Sequence, residues 1–474
     1  MGKLEKFLPI THSVFAMTPK IKKHLHDLIS LAEKSNASLY LVGGTVRDSL
    51  LQRDYSDYDF TSSKAVHIAR VFSEKYPSKL VPLDDTPGRQ TYRVALGKKL
   101  YFDFSQMQGN TLEEDLGKRD FTINAMGLAL PDFLENDLDK IVDPYNGRQD
   151  LKDEVLRALP GSTFPDDPLR MIRAFRFAHT LGFKIEPQTL AEISRHKSEL
   201  TRIAGERISY ELMILLNSPK TQIGLMHRSG LLEVLFPECQ ARSGENNTKA
   251  IPGVWEKSLM VMDALDQIFS SGDATLKNYR PEISKFLSGN HHRPLIRLAG
   301  LLFCLHQSPT HISYKKSGSK TSLIQVLKKL RLSNSAIRFV DRTLFFSLHL
   351  VNYGSDVAGK DIGESQIYAL IKECDGELIS SILLAAAMVS ATSYNKGRFY
   401  SCIERFADFY FKKYLPAKKN PALLSGDILE SKFKLAPSSS YKIILDKVEE
   451  ARVLGNISTH KEAEEIAKAL IKNL

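Results

Sequence analysis

Apolar and polar positions alternate in two different rhythms along this chain. Up to about residue 160 the rhythm is that of short strands mixed with helices. The run "ASLYLVGG", Ala37 to Gly44, predicts a buried strand that ends in a glycine corner. "DYDFTSS", from Asp57, predicts a second short strand, and "TYRVAL" with "KKLYFDFS" predicts a hairpin turning around Gly97 and Lys98. His67 to Tyr76 reads as a helix between them. After Pro165 the period becomes helical. "DDPLRMIRAFRFAHTLGF" predicts a helix that stops at Gly182. Amphipathic helices then follow to the C-terminus, among them "SLIQVLKKLRL", "ELISSILLAAAMVSA" and "YKIILDKVEEARVLG". Ser313 to Lys320 reads as an exposed loop, and Lys412 to Pro421 as a boundary before a small tail.

Composition narrows the class. The 474 residues exceed what one simple core needs, so several domains are expected. Lys and Arg number 65 against 55 Asp and Glu, a net +10, which fits a polyanionic partner or simply a solvated basic surface. Four cysteines, Cys239, Cys304, Cys374 and Cys402, form no C-x-x-C pair, which argues against a disulfide framework or a cysteine zinc site and fits a reducing cytoplasm. The N-terminal "MGKLEKFLPI" has no signal-peptide core, and no apolar run reaches membrane-spanning length, so no membrane partner is expected.

The chemistry concentrates in "LVGGTVRDSLLQRDYSDYDF", Leu41 to Phe60. Gly43 and Gly44 allow backbone N–H groups to approach a phosphate without a Cβ in the way. A helix starting near Thr45 adds its N-terminal dipole, and Arg47 in its first turn suits a triphosphate oxygen. Asp57 and Asp59 fall on one side of a strand, because side chains alternate with period two. Two carboxylates so held suit a pair of Mg²⁺ ions, with Asp103 in "YFDFS" as a third from a neighbouring strand. The plain alternative is a glycine turn followed by a solvated acidic loop. A lone D-x-D would not exclude it; Gly-Gly, Arg at +3 and D-x-D in order argue against it.

This segment resembles the active-site motif of class II tRNA nucleotidyltransferases and bacterial poly(A) polymerases, within the polymerase β-like superfamily. Four further stretches resemble the family in order: "LEEDLGKRDFTINAMGL" from Leu112, "DPYNGRQDL" from Asp143, "DDPLRMIRAFRF" from Asp166 and "GERISYELMILL" from Gly205. The resemblance implies an α+β architecture: a nucleotidyltransferase head with a mixed sheet (1–160), a neck carrying a nucleotide-template helix (161–220), a helical body (221–410) and a helical tail that contacts tRNA (411–474). It implies that Arg119 binds nucleotide, that Asp120 and Asn124 brace the site, and that Asp167 and Arg170 serve as a protein template. Independently, cytosine and adenine each show an amino donor beside a ring-nitrogen acceptor, which an aspartate and an arginine can match. Arg173 and Arg176 continue that three-residue stripe toward phosphates or in support of the template; a basic amphipathic helix on a solvated face is the alternative. For Asp120 the alternative is a helix cap. Glu206 and Arg207 read as structural.

The implied reaction is attack of a tRNA 3′-hydroxyl on the α-phosphate of CTP or ATP with Mg²⁺ as cofactor. The partners are the tRNA acceptor arm, CTP and, for full CCA synthesis, ATP. Poly(A) polymerase is the close alternative, and a non-catalytic RNA-binding protein the distant one. Two departures from the family pattern stand out. The segment from Asp103 to Arg119 is short, which resembles the CC-adding branch. The body resembles an HD-type domain in which Lys257, Phe303 and Cys304 stand at ligand positions, so a vestigial scaffold is expected, with His291, His292 and His306 as packing or surface residues. Lys412, Lys413, Lys418 and Lys419 are candidates for tRNA backbone contact or a plain lysine-rich linker. In the tail, Pro437, Ser438 and Ser439 replace the family's P-G-P turn.

Overall fold

The computed structural model describes residues 18–472 apart from 98–99, 162, 218–221, 241–252, 273–275, 290–291, 306–321, 356–361, 375, 392–395 and 437. The predicted loop Ser313–Lys320, the turn residue Lys98, His291, His306, Pro437 and the N-terminal stretch lie outside the described residues. The chain divides into two compact units, with the break between Arg202 and Ile203.

In the first unit, six strands form a sheet in the order β3-β4-β5-β2-β1-β6. They are β1 (Tyr40–Val42), β2 (Asp57–Ser62), β3 (Leu80–Asp84), β4 (Thr91–Ala95), β5 (Tyr101–Gln106) and β6 (Gly127–Ala129). β2 and β5 run parallel, while β1–β2, β1–β6, β3–β4 and β4–β5 are antiparallel. The predicted hairpin is β4–β5. The edge strand β3 carries Pro82 and a register irregularity between Pro82 and Asp84, both of which discourage pairing with another chain.

Alternation divides this sheet chemically. Tyr58, Phe60, Phe102 and Phe104 are buried and their rings touch, with Phe72 of α3 (Ala65–Lys75) stacked on Phe102. The residues between them, Asp57, Asp59 and Asp103, therefore fall to the other face. The aromatic face anchors the strands, and the carboxylate face is left to do chemistry.

The C-terminal unit is helical. The helix Gly205–Leu216 starts on Gly205, where a Cβ would collide with the Lys329 carbonyl oxygen. Lys412–Pro421 differs from the predicted boundary. It is helical to Lys419, passing through a π-turn at Tyr410–Tyr414 in which the Leu415 N–H bonds the Tyr410 carbonyl. Pro416 explains the turn, because it has no N–H to continue the ordinary ladder. Beyond it, Leu424, Leu429, Ile444, Val448, Ile457, Ala463 and Ala467 form a separate small core. Among the described residues no helix is long and apolar enough to cross a membrane.

One reading of the body changes, and another holds. Lys257 is exposed on the Val254–Ser271 helix rather than set in a pocket. Its neighbour Ser258 is the buried residue, donating to the Leu301 carbonyl, because one helical step of 100° separates the inner and outer faces. His292 is a packing residue: its Nδ1 lies 2.6 Å from the Phe286 carbonyl oxygen, and its ring stacks on Phe286 and Phe339. Phe303 and Cys304 sit in a short 3₁₀ turn, Phe303–Leu305.

Candidate active site

The glycine corner is built as its sequence demands. Gly43 has φ +66°, in the left-handed region that favours glycine, and caps α2 (Gly44–Leu50). A Cβ on Gly43 would lie 3.0 Å from Arg119 Nη1, and one on Gly44 3.3 Å from Asp59 Oδ2. Close approach of charged side chains is thus the reason for both glycines. Thr45, fully buried, ties α2 to β2. Its hydroxyl donates to the Asp57 carbonyl at 3.3 Å and accepts from the Asp59 N–H at 2.8 Å.

Asp57 is exposed and Asp59 half-buried at the head of β2, with Asp59 in register opposite Asp103 of β5. Burial, then the charge of Asp103, raises the Asp59 pKa to about 6, with Arg119 opposing. Burial also raises that of Asp57, against the pull of Arg93. Asp103 is not open in the same way. Arg93, its cross-strand partner on β4, grips it with Nε at 2.8 Å and Nη2 at 2.7 Å. The fork–fork geometry commits Arg93 to Asp103, so that Asp57 feels Arg93, and Asp59 feels Arg119, only through space.

These residues fit a divalent cation. Two close acids, one pushed to carry a proton near neutrality, are a site that a cation relieves. Among the described residues no group of three or more metal-ligating side chains comes together.

The basic residues are linked rather than loose. Arg47, predicted to face a triphosphate, is buried and donates to Asp48 at 2.9 and 2.8 Å and to Asn124 Oδ1 at 2.6 Å. Asn124 in turn donates to Asp120 at 3.0 Å, and Asp120 accepts two bonds from Arg173, at 2.9 and 2.8 Å. Against the upward push of burial, Arg173 and Asn124 draw the Asp120 pKa down to about 2. The glycine corner, the "RDFTIN" turn and the Leu169–Leu181 helix are therefore one hydrogen-bonded chain.

Arg119 is oriented by Asp115, which lies one helical turn before it, buried, at 3.2 Å. Arg170 is half-buried and donates to the Lys118 carbonyl at 2.6 Å and to the Thr163 carbonyl at 3.3 Å. Burial lowers its pKa. Asp167 lies two residues before the helix, not on its stripe, and its carboxylate accepts the Leu169 N–H at 3.3 Å. Pro168 accounts for this, since the residue before proline is kept out of helical geometry. Arg176 lies in the helix, its guanidinium against the Phe177 ring.

Sequence reasoning missed Arg93, Thr45 and Asp115. Only Asp115 left a signal, as an acid four residues before Arg119. The stretch from Asp143 also acquires a physical account. Asp143 accepts the N–H groups of Gly147 and Arg148; Gly147 passes so close to the Thr122 carbonyl that a Cβ would collide; and Asp150 accepts from the Thr122 hydroxyl. This motif is the foundation under the turn that carries Asn124.

Residues 39–157 match the family described as "Poly A polymerase head domain", and residues 182–242 that described as "Probable RNA and SrmB- binding site of polymerase A". The chain is thus similar, over less than half of its length, to the poly(A) polymerase family. Among its relatives is a CC-adding tRNA nucleotidyltransferase of Geobacter sulfurreducens, 38% identical over 40% of this chain and 43% of that protein. An A-adding tRNA nucleotidyltransferase of Deinococcus radiodurans is 29% identical over 89% of this chain and 93% of that protein. The match thus covers less than half the length of the CC-adding relative. In fold, the chain is similar to a CCA-adding enzyme in its apo form, with a TM-score of 0.65 at 22% identity over 95% of this chain and 94% of that one. A CCA-adding enzyme in complex with CTP has a TM-score of 0.63 at 23% identity, over 96% of each chain.

Proposed function

We propose that this chain is a cytoplasmic tRNA 3′-end nucleotidyltransferase that adds C from CTP, with Mg²⁺ as its cofactor. The observation that carries this reading is the pairing of Asp57 and Asp59 on one strand face, with Asp59 directly against the Gly43–Gly44 corner. RNA binding alone requires no such pair. In the reaction, the 3′-hydroxyl oxygen bonds the α-phosphorus and gives up its proton to water, the bond to the β-phosphate oxygen breaks, and pyrophosphate leaves. Bound Mg²⁺ supplies charge neutralisation at the triphosphate and a lowered hydroxyl pKa.

The protein's residues do the rest. Asp57 and Asp59 hold the cation. Asp103, held by Arg93, shapes the cluster's charge. Gly43 and Gly44 let the triphosphate approach backbone N–H groups, and Arg119 stands over that corner. Arg47, Asp120, Asn124 and Arg173 keep the corner and the template helix in register; Arg47 thereby acts through others rather than on phosphate directly. Asp167 and Arg170 face the base: the carboxylate accepts from an amino group and the guanidinium donates to a ring nitrogen, so uracil and guanine leave polar groups unpaired. Arg176 supports the same helix. A four-part division into head (1–160), neck (161–220), body (221–410) and tail (411–474) accompanies this reading, with tRNA held by its acceptor arm. Lys412, Lys413 and Lys418 are paired with Asp408, Glu364 and Glu449 at the surface. Such exposed pairs are weak enough to exchange for phosphates.

The short Asp103–Arg119 segment and the CC-adding relatives support addition of two cytidines, with terminal A left to another enzyme. Sequencing the products of tRNA lacking CCA, incubated with CTP plus ATP, tests this: two added C residues are expected, and efficient A addition overturns the CC assignment. The poly(A) polymerase head match favours one other reading, which predicts long products from ATP alone.

A further inference from the structure

Phe177 is the residue of the template helix that the reaction leaves without a task. Its neighbour Phe175 is fully buried in the core. Phe177 is buried as well, but among cations: the guanidinium carbons of Arg47, Arg173 and Arg176 lie 5.3, 5.1 and 3.9 Å from its ring centroid. Phe121, of the "RDFTIN" turn, meets the ring edge-on at 5.7 Å and 79°. Three sequence motifs, distant along the chain, thus converge on one ring.

Three guanidinium groups gathered this closely repel one another. Asp48 offsets Arg47 and Asp120 offsets Arg173. The negative face of the aromatic quadrupole supplies attraction that no aliphatic side chain would. Arg176 is the immediate neighbour of Phe177, and adjacent helical residues do not ordinarily face each other. Its side chain must fold back across the ring to reach 3.9 Å. That is a specified conformation, not incidental packing.

We infer that Phe177 is a positioning residue for nucleotide selection: its ring sets the orientation of the Arg47, Arg173 and Arg176 guanidinium groups and so couples the glycine corner to the template turn. The inference rests on the nucleotidyltransferase reading and assigns a specificity-setting role to a residue that does not itself touch substrate.

The test compares Phe177→Leu, which removes the ring, with Phe177→Tyr, which keeps it. The readouts are KM and kcat for CTP, the CTP-over-UTP preference on tRNA lacking CCA, and the melting midpoint. A cation–π contact of a partly desolvated guanidinium changes an equilibrium by roughly two- to thirtyfold. The leucine variant is therefore expected to raise the CTP KM about tenfold and to lose a similar factor of base preference, with kcat changed much less. The tyrosine variant is expected to restore both to within about twofold. A leucine variant with unchanged KM and preference, or a folded tyrosine variant as impaired as leucine, overturns the inference. Should leucine fail to fold, Phe177→Met, close in volume, takes its place; failure of both assigns the ring to core stability and likewise overturns it. If wild-type protein incorporates no nucleotide, the functional reading fails on its own, whatever the variants do.

Discussion

Replacing Arg93 by Gln isolates the electrostatics of the carboxylate cluster. The substitution removes both charge-assisted bonds to Asp103, at 2.8 and 2.7 Å, and the stacking of the guanidinium on Tyr101 at 4.8 Å. Asp103 is left with its side chain only 11% exposed, next to Asp57 and Asp59, without its counter-charge. Breaking one partner of a buried pair costs about 3–5 kcal/mol. The Arg93 side chain is 32% exposed, so solvent screening reduces the expected loss to about 2 kcal/mol. For a unit the size of the N-terminal one, that corresponds to a fall in melting midpoint of roughly 4–8 °C. The assay is thermal unfolding of wild type, Arg93→Gln, Asp103→Asn and the double variant. The double variant is expected to recover much of the loss, because the orphaned charge is gone, giving a coupling of about 1–2 kcal/mol. A midpoint within about 1 °C of wild type for Arg93→Gln, or strict additivity in the cycle, would refute this account of Asp103.

Other expectations follow from single contacts. Gly147→Ala drives a Cβ into the Thr122 carbonyl and should cost more than about 2 kcal/mol in denaturant unfolding, while the same change at Gly224, where a Cβ meets no atom closer than 3.7 Å, provides a comparison. His24 is buried against Phe72, Tyr76 and Phe102, and neither ring nitrogen has a hydrogen-bond partner. Burial, reinforced by Lys20, lowers its pKa below 6.5, with Asp27 opposing. The unfolded chain therefore binds the proton more readily, and stability falls as pH drops through about 6.5. His24→Leu should raise the midpoint at pH 6 and flatten the slope between about pH 7 and 5.5 in melts across that range; an unchanged slope would contradict it.

The parts of the molecule legible in the sequence are those set by local rules. Alternation in "DYDF" placed two acids on one strand face, helical period marked the Leu169–Leu181 helix, and Gly182 ended it at φ +79°. Relations between segments were harder to read. Arg93 and Asp103 meet only because of the β4–β5 register, and nothing in either strand announces the partner. Arg47 looked like a phosphate ligand because its position in the helix is local information. Its commitment to Asp48 and Asn124 depends on a turn 77 residues away. Asp167 was assigned to the helical stripe by counting threes; the proline after it ended that periodicity. Lys412–Pro421 read as a boundary by composition, whereas a π-turn carries helix as far as Lys419. Local pattern thus predicted elements well, and carried little of the pairings that join distant segments.

The central claim is that the two aspartates at the start of β2 hold the cation that drives nucleotide joining. Its most direct measurement is Mg²⁺-dependent pyrophosphate release from CTP with tRNA lacking CCA, for wild type and for Asp57→Ala and Asp59→Ala. Wild type is predicted to turn over only with the divalent cation, and each variant to lose roughly a thousandfold or more while melting close to wild type. A folded variant that keeps wild-type turnover would contradict it.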